Sequence, residues 1–227
     1  MTTKKMTKHQ MKEDRLVTSM FRGWEWVQFH TKTLAIGIGS VILLVLVSVL
    51  YTTGRASNSR KAAELFGVAV IQMESPIAGE VQSAVSNFQL LLNDYPGSKW
   101  SSYACFYLAN ILYRDKQYPQ AREHFQRYIK DYQEDSLMTA SAYAGIADCY
   151  LQEKDPLSGA EYYLKGAETS PNSILAPGYL LRAARIYLKA EQRPKAIELY
   201  QRLASSYPQT LEGNKAKSEL AELVVSF

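Results

Sequence analysis

Residues 33–54 form a run of 22 without a charged side chain, and its centre, Leu34 to Tyr51, reads LAIGIGSVILLVLVSVLY. Between Leu34 and Leu50, twelve residues are Leu, Ile or Val. A helix rises 1.5 Å per residue, so about 20 such residues cross the roughly 30 Å of bilayer hydrocarbon. A soluble core helix seldom runs this long without a charge. The competing reading is a cleaved signal peptide, whose apolar stretch is usually about 7–15 residues behind a brief basic segment. Here 33 residues precede the run, although Gly54-Arg55-Ala56 offers a small-x-small cleavage pattern. No cysteine follows it closely, so a lipoprotein anchor is excluded.

Charge divides the chain at the same place. Residues 1–33 carry seven Lys or Arg (Lys4, Lys5, Lys8, Lys12, Arg15, Arg22, Lys32) against Glu13, Asp14 and Glu25. Residues 55–227 carry 19 basic and 19 acidic side chains. The formal net charge of +4 therefore belongs wholly to the leader. A neutral main domain argues against nucleic-acid binding, which needs a concentrated basic face. The positive-inside rule expects the leader, 1–33, in the cytoplasm and the chain after the span, 34–54, on the far side. In a Gram-negative cell that side is the periplasm, and the anchor lies in the inner membrane. Trp24, Trp26 and Phe29 before the span and Tyr51 after it suit the interface. Leu16, Met20, Phe21, Trp24 and Val27 can line one face of a helix on the membrane surface; a solvated basic leader is the alternative.

After a linker or helix start at 55–64, residues 65–227 repeat a phrase: a small residue, a bulky one four positions on, then a turn. Ala84, Phe88 and Leu91 lead to Tyr95-Pro96-Gly97-Ser98, and Ala121, Phe125 and Tyr128 lead to Tyr132 and Gln133. Ala160, Leu164 and Ala167 lead to Ser170-Pro171-Asn172, and Ala196, Tyr200 and Leu203 lead to Tyr207-Pro208. Each later copy follows another segment with apolar residues at helical spacing: Cys105, Leu108, Ala109 and Leu112; Ala144, Ala147 and Leu151; Leu180, Ala183, Ala184 and Tyr187. Pro119, Pro156 and Pro194 fall near the start of each second helix, where a missing N–H costs little. A lone hairpin cannot bury its apolar face, so hairpins stack. The expected fold is all-α: one transmembrane helix, then a solenoid of about four hairpins near 65–98, 102–135, 141–174 and 177–210. A cap over 211–227 follows, with Ala216, Leu220, Leu223 and Val224 on one face.

This pattern resembles the tetratricopeptide repeat, whose second helix carries a small residue, an aromatic, another small residue and a proline at fixed offsets. Ala196, Tyr200 and Pro208 fit, as do Ala84, Phe88 and Pro96; Gln133 replaces the proline in the second copy, and Leu164 the aromatic in the third. The basic leader containing KHQMKEDRLV (Lys8 to Val17), the uncleaved span and about four divergent repeats look like the YfgM-type family. That resemblance implies an ancillary subunit of the bacterial Sec translocon, with translocon subunits, periplasmic chaperones or secreted clients as partners. A structural adaptor of another envelope complex (cell division, outer-membrane assembly or energy conversion) is the alternative.

Signatures of chemistry are missing. The sequence has no phosphate-binding glycine loop, no C-x-x-C, no H-E-x-x-H and no G-x-S-x-G. We therefore expect no enzyme activity, no cofactor and no metal. His124 reads as a surface histidine, and Asp148 as a structural hydrogen-bonding acid. Cys105 and Cys149 read as inert thiols, with a bridge between them as the alternative.

What remains is a surface. In the tetratricopeptide fold the first helices line the concave groove. Matching offsets put Tyr103, Phe106, Asn110, Tyr113 and Arg114 there from the second repeat. The third supplies Cys149 and Gln152, and the fourth Leu181, Arg182, Arg185 and Lys189. Tyr and Arg are favoured anchors because they combine contact area with directional polar groups. Asn110 and Arg182 align with the carboxylate clamp of some chaperone-binding members, but Phe106, Ile146 and Gly178 fill its other positions, so no such clamp is expected.

Overall fold

A computed structural model describes residues 8–133 and 135–225; the side chains of residues 8–16, Leu34, Val224 and Val225 are not among them. The charges expected at Lys4 to Arg15, Leu16 of the amphipathic stripe and Val224 of the cap thus lie outside the described residues or side chains. Ten helices and no strand occur among the described residues. They are α1 (Lys8–Phe29), α2 (Thr31–Glu74), α3 (Glu80–Asp94), α4 (Lys99–Arg114), α5 (Tyr118–Asp131), α6 (Ser136–Gln152), α7 (Pro156–Thr169), α8 (Ala176–Lys189), α9 (Arg193–Ser206) and α10 (Leu211–Val225).

The chain divides into two compact units, Met1–Ser57 and Asn58–Phe227, each described by itself. In the first, α1 ends where His30 stacks on Trp26 with ring centroids 4.8 Å apart. Met20, Phe21, Trp24 and Val27 are exposed. One helix among the described residues, α2, is long and apolar enough to cross a membrane, and the apolar window within it is wholly unburied. Residues 55–64, expected as a linker or helix start, lie inside α2. They contain neither Gly nor Pro, so nothing there stops the helix.

In the second unit, successive helices from α3 to α10 pack against one another in chain order. Phe66 on α2 meets Phe88 on α3, with centroids 5.9 Å apart, and Asn87 donates to the Gln72 side-chain oxygen at 2.7 Å. Ala84, Ala121, Ala160 and Ala196 are all fully buried, where small side chains let helices approach closely. Phe88, Phe125 and Tyr200 fill the space four residues on. The third copy differs. Leu164 is half-buried and Tyr163, one position earlier, takes the core place.

Helix starts follow their caps. The Ser98 hydroxyl accepts from the Ser101 N–H at 3.1 Å, and the Asp135 carboxylate accepts from the Leu137 and Met138 N–H groups at 2.9 and 3.1 Å. Satisfying these otherwise orphaned donors lets α4 and α6 begin before residues 102 and 141, the expected repeat starts. Pro119, Pro156 and Pro194 occupy the first or second positions of α5, α7 and α9. Two buried clusters form the core. They meet at α6, which gives Ala142, Ile146 and Cys149 to one and Ala144 and Ala147 to the other.

Candidate functional site

The first helices α4, α6 and α8 share one face of the second unit. At its α4 end lies a cleft of about 670 Å³. Tyr103, Phe106, Tyr107, Asn110 and Arg114 line it from α4, with Trp100; Phe66 and Met73 come from α2 and Met138 from α6. Phe66 organises its wall, with centroids 5.3 Å from Trp100, 5.9 Å from Tyr103 and 5.7 Å from Tyr107. Phe106 stands edge-on to Phe125 and Tyr128, at 5.6 and 5.7 Å. Such tilted contacts favour rigid aromatic walls. The Asn110 amide donates to the Phe106 carbonyl at 2.8 Å, which ties its nitrogen to the helix and leaves the oxygen for another donor.

Tyr113 does not line this cleft; it packs on Tyr118, with centroids 5.5 Å apart. Gln152 of α6 lies beside its hydroxyl, and burial raises the Tyr113 pKa above 10.0. One turn earlier on α6, Asp148 accepts a hydrogen bond from the Tyr163 hydroxyl. Arg182 of α8 donates to that hydroxyl at 3.0 Å and reaches the Asp148 carboxylate at 3.8 Å. Burial raises the Asp148 pKa above 3.8, while the Tyr163 hydrogen bond and the Arg182 charge hold it back. The trio stitches α6, α7 and α8 together. Its members are held by one another. Further along α8, Arg185 donates through Nε to Glu219 of α10 at 3.0 Å.

The profile of the family described as "Tetratricopeptide repeat-like domain" matches residues 24–206. The chain belongs to that family. No curated protein matches the chain. Tetratricopeptide-like domains are protein-interaction modules, and the match takes in part of the leader, the apolar run and all four hairpins, leaving α10 outside.

Within the tetratricopeptide unit, Tyr103, Phe106, Asn110 and Arg114 line the cleft together. Tyr113 and Gln152 meet each other between α4 and α6, and Arg182, Arg185 and Lys189 are exposed on α8. Leu181 is 5% exposed and packs into the core, and Cys149 is fully buried. Neither reaches the groove: Cys149 packs into the cluster it shares with α4 and α5, and Leu181 into the one it shares with α7 and α9. Phe66, Met73, Trp100, Tyr107 and Met138 were not among the residues expected from sequence. The groove offsets begin with the second repeat, so the α2 contribution has no counterpart in them; Trp100 and Met138 lie in first turns that caps add to α4 and α6.

His124 is half-buried, and burial lowers its pKa below 6.5, so it is less of a surface residue than expected. Cys105 donates from sulfur to the His124 carbonyl at 3.2 Å. Cys105 and Cys149 are both free and buried, so the alternative of a bridge between them does not hold. Burial pushes each thiol up to about 12, which keeps it protonated and inert. No cluster of metal-binding side chains occurs among the described residues.

Proposed function

We propose that this protein is a non-enzymatic scaffold of the bacterial cell envelope, held in the inner membrane by residues 34–54. Its leader faces the cytoplasm and its tetratricopeptide unit the periplasm. There the groove of α4, α6 and α8 binds translocon subunits, periplasmic chaperones or secreted clients.

The observation that carries this reading is the unburied apolar window of α2. Ile36, Leu44 and Leu50 are each more than two-thirds exposed, as parts of one continuous apolar surface. Soluble monomers rarely expose contiguous apolar patches above a few hundred Å². A bilayer removes this surface from water without a protein partner. The basic excess before the span supports the orientation, and the leader's likeness to the YfgM type supports the place of work. The aromatic cleft suits protein ligands because rigid rings give area at low entropic cost.

Site-specific photocrosslinking from Tyr103 and Tyr113 in intact cells, with mass spectrometry of the products, tests it. Translocon subunits, chaperones or exported clients are the expected products. One stoichiometric complex that survives detergent would instead assign the chain as an adaptor subunit of that complex. External protease that spares residues 100–227 in spheroplasts but cleaves them in inverted vesicles would reverse the topology and remove the export role.

A further inference from the structure

The groove is chemically divided along its length. Its α4 end is aromatic and thioether-lined, with Phe66, Trp100, Tyr103, Phe106, Met73 and Met138 around the cleft. Met side chains adapt their shape, so such a cleft accepts bulky apolar groups of differing outline. The α8 end is cationic. Arg182, Arg185 and Lys189 stand at i, i+3 and i+7 on one helix, all exposed. The two carboxylates seen against them are already engaged, Asp148 by Tyr163 and Arg182, and Glu219 by Arg185. Arg182 keeps 60% of its side chain exposed beyond those contacts. Lys189, and Arg114 at the cleft, form no ion pair among the described residues. The surface between the two ends is continuous in chemistry: Arg114 adjoins Tyr113, Tyr113 meets Gln152, and Asp148 one turn away meets Arg182.

We propose that the groove selects extended protein segments that carry one bulky apolar side chain and, about six or more residues away, acidic side chains. The inference rests on the reading of this groove as a protein-binding surface. The apolar side chain enters the aromatic cleft, and the acids face Lys189 and Arg182. The spacing follows from helix packing. Successive first helices touch only lightly, so each step is no shorter than the about 8–10 Å between packed helix axes, and α4 to α8 is about 20 Å or more. About six or more extended residues span that distance. The two ends do different work. Apolar burial supplies most of the affinity, whereas exposed charges add little attraction but reject the wrong sign. The device differs from capture of a terminal carboxylate, because the acids are side chains inside a segment.

The test uses the full chain in nanodiscs of zwitterionic phosphatidylcholine and labelled peptides of about twelve residues in a Gly/Ser background. The reference peptide carries Phe and, six residues on, two Glu. Fluorescence anisotropy should show saturable binding. Replacing Phe by Ser should weaken it about tenfold or more, and replacing both Glu by Lys about fivefold, with the second loss shrinking as salt rises. In the Lys189→Glu variant the preference between the Glu and Lys peptides should shrink or invert while the loss on replacing Phe by Ser stays as in the native chain, which a merely misfolded groove would not produce. Equal binding of the two peptides, or a preference unmoved in Lys189→Glu, overturns the proposal. Should Tyr103 crosslink to partners whose captured segments lack the pattern, the scaffold reading stands and this one falls. Should Tyr103 capture nothing and no peptide bind, both fall. Self-association that vanishes in Lys189→Glu, with no peptide bound, would assign the groove to a second copy of the chain and overturn the proposal too.

Discussion

The Tyr207 hydroxyl donates to the Pro171 carbonyl at 2.7 Å, across 36 residues. Tyr132 makes the same bond to the Pro96 carbonyl, at 3.0 Å and the same separation. Both tyrosines cap the end of a second helix, and both prolines follow the residue that caps the second helix before it. The phenol therefore measures one repeat, fastening each turn to the turn behind it. Ser170 occupies the equivalent cap in the third repeat and has no ring to reach back. A net hydrogen bond contributes about 0.5–1.5 kcal/mol. Tyr132→Phe and Tyr207→Phe should each lower stability by about 1 kcal/mol in urea unfolding. Unchanged midpoints in both variants would show that the bonds are incidental.

Three turns between paired helices share a backbone device. Lys116, Lys154 and Glu191 have φ of 61, 64 and 60°, in the left-handed region. In each turn the next N–H reaches back to a carbonyl five residues earlier, as Gln117 to Leu112, Asp155 to Tyr150 and Gln192 to Tyr187. Side chains cost about 1–2 kcal/mol there, and glycine does not meet that penalty. Lys154→Gly should raise the melting temperature despite adding chain entropy to the unfolded state, whereas Lys154→Ala should not. A lower melting temperature for the glycine variant would refute the account.

Gly145 of α6 lies against the Phe125 ring of α5. A Cβ there would come within 2.4 Å of that ring, which is 2% exposed. Overpacking of this kind costs about 1–3 kcal/mol. Gly145→Ala should destabilise by that amount, and Phe125→Leu should relieve part of it. A double-mutant cycle with no coupling between the two would sink the explanation.

Most of the scaffold was legible because it is written in spacing. The buried alanines at 84, 121, 160 and 196 and the prolines at 119, 156 and 194 fix hairpin, turn and register with local chemistry. The third repeat misled at one position. Leu164 has the expected offset, yet Tyr163 is buried because its hydroxyl finds Asp148 and Arg182, partners 15 and 19 residues away. No periodicity announces such a pairing. Nor does it announce that Phe66 and Met73 would wall the cleft, since they belong to the same helix as the apolar run and match no earlier copy. Leu181 shows the reverse error: an offset carried it to the groove, and packing turned it inward.

The cap helix should respond to acid through Glu219. Burial alone would raise this carboxyl, but hydrogen bonding and the Arg185 charge outweigh it and hold the pKa below 4.5. A carboxyl depressed in the folded state binds protons more weakly there than in the unfolded chain. Its contribution is therefore present above the unfolded value of 4.5 and is lost as pH falls through the lower, folded value. Asp148 runs the other way. Its folded pKa is raised, so its share of stability is full below 3.8 and declines as pH rises through the folded value. The two variants separate these effects. In Glu219→Gln the acid-side loss should shrink, and hydrogen exchange in α10 should be faster at neutral pH because Arg185 loses its charged partner. In Asp148→Asn the decline above pH 3.8 should flatten, while exchange in α10 stays as in the native chain. If Glu219→Gln left both the acid limb and α10 exchange unaltered, the Arg185 contact would not be what holds the cap.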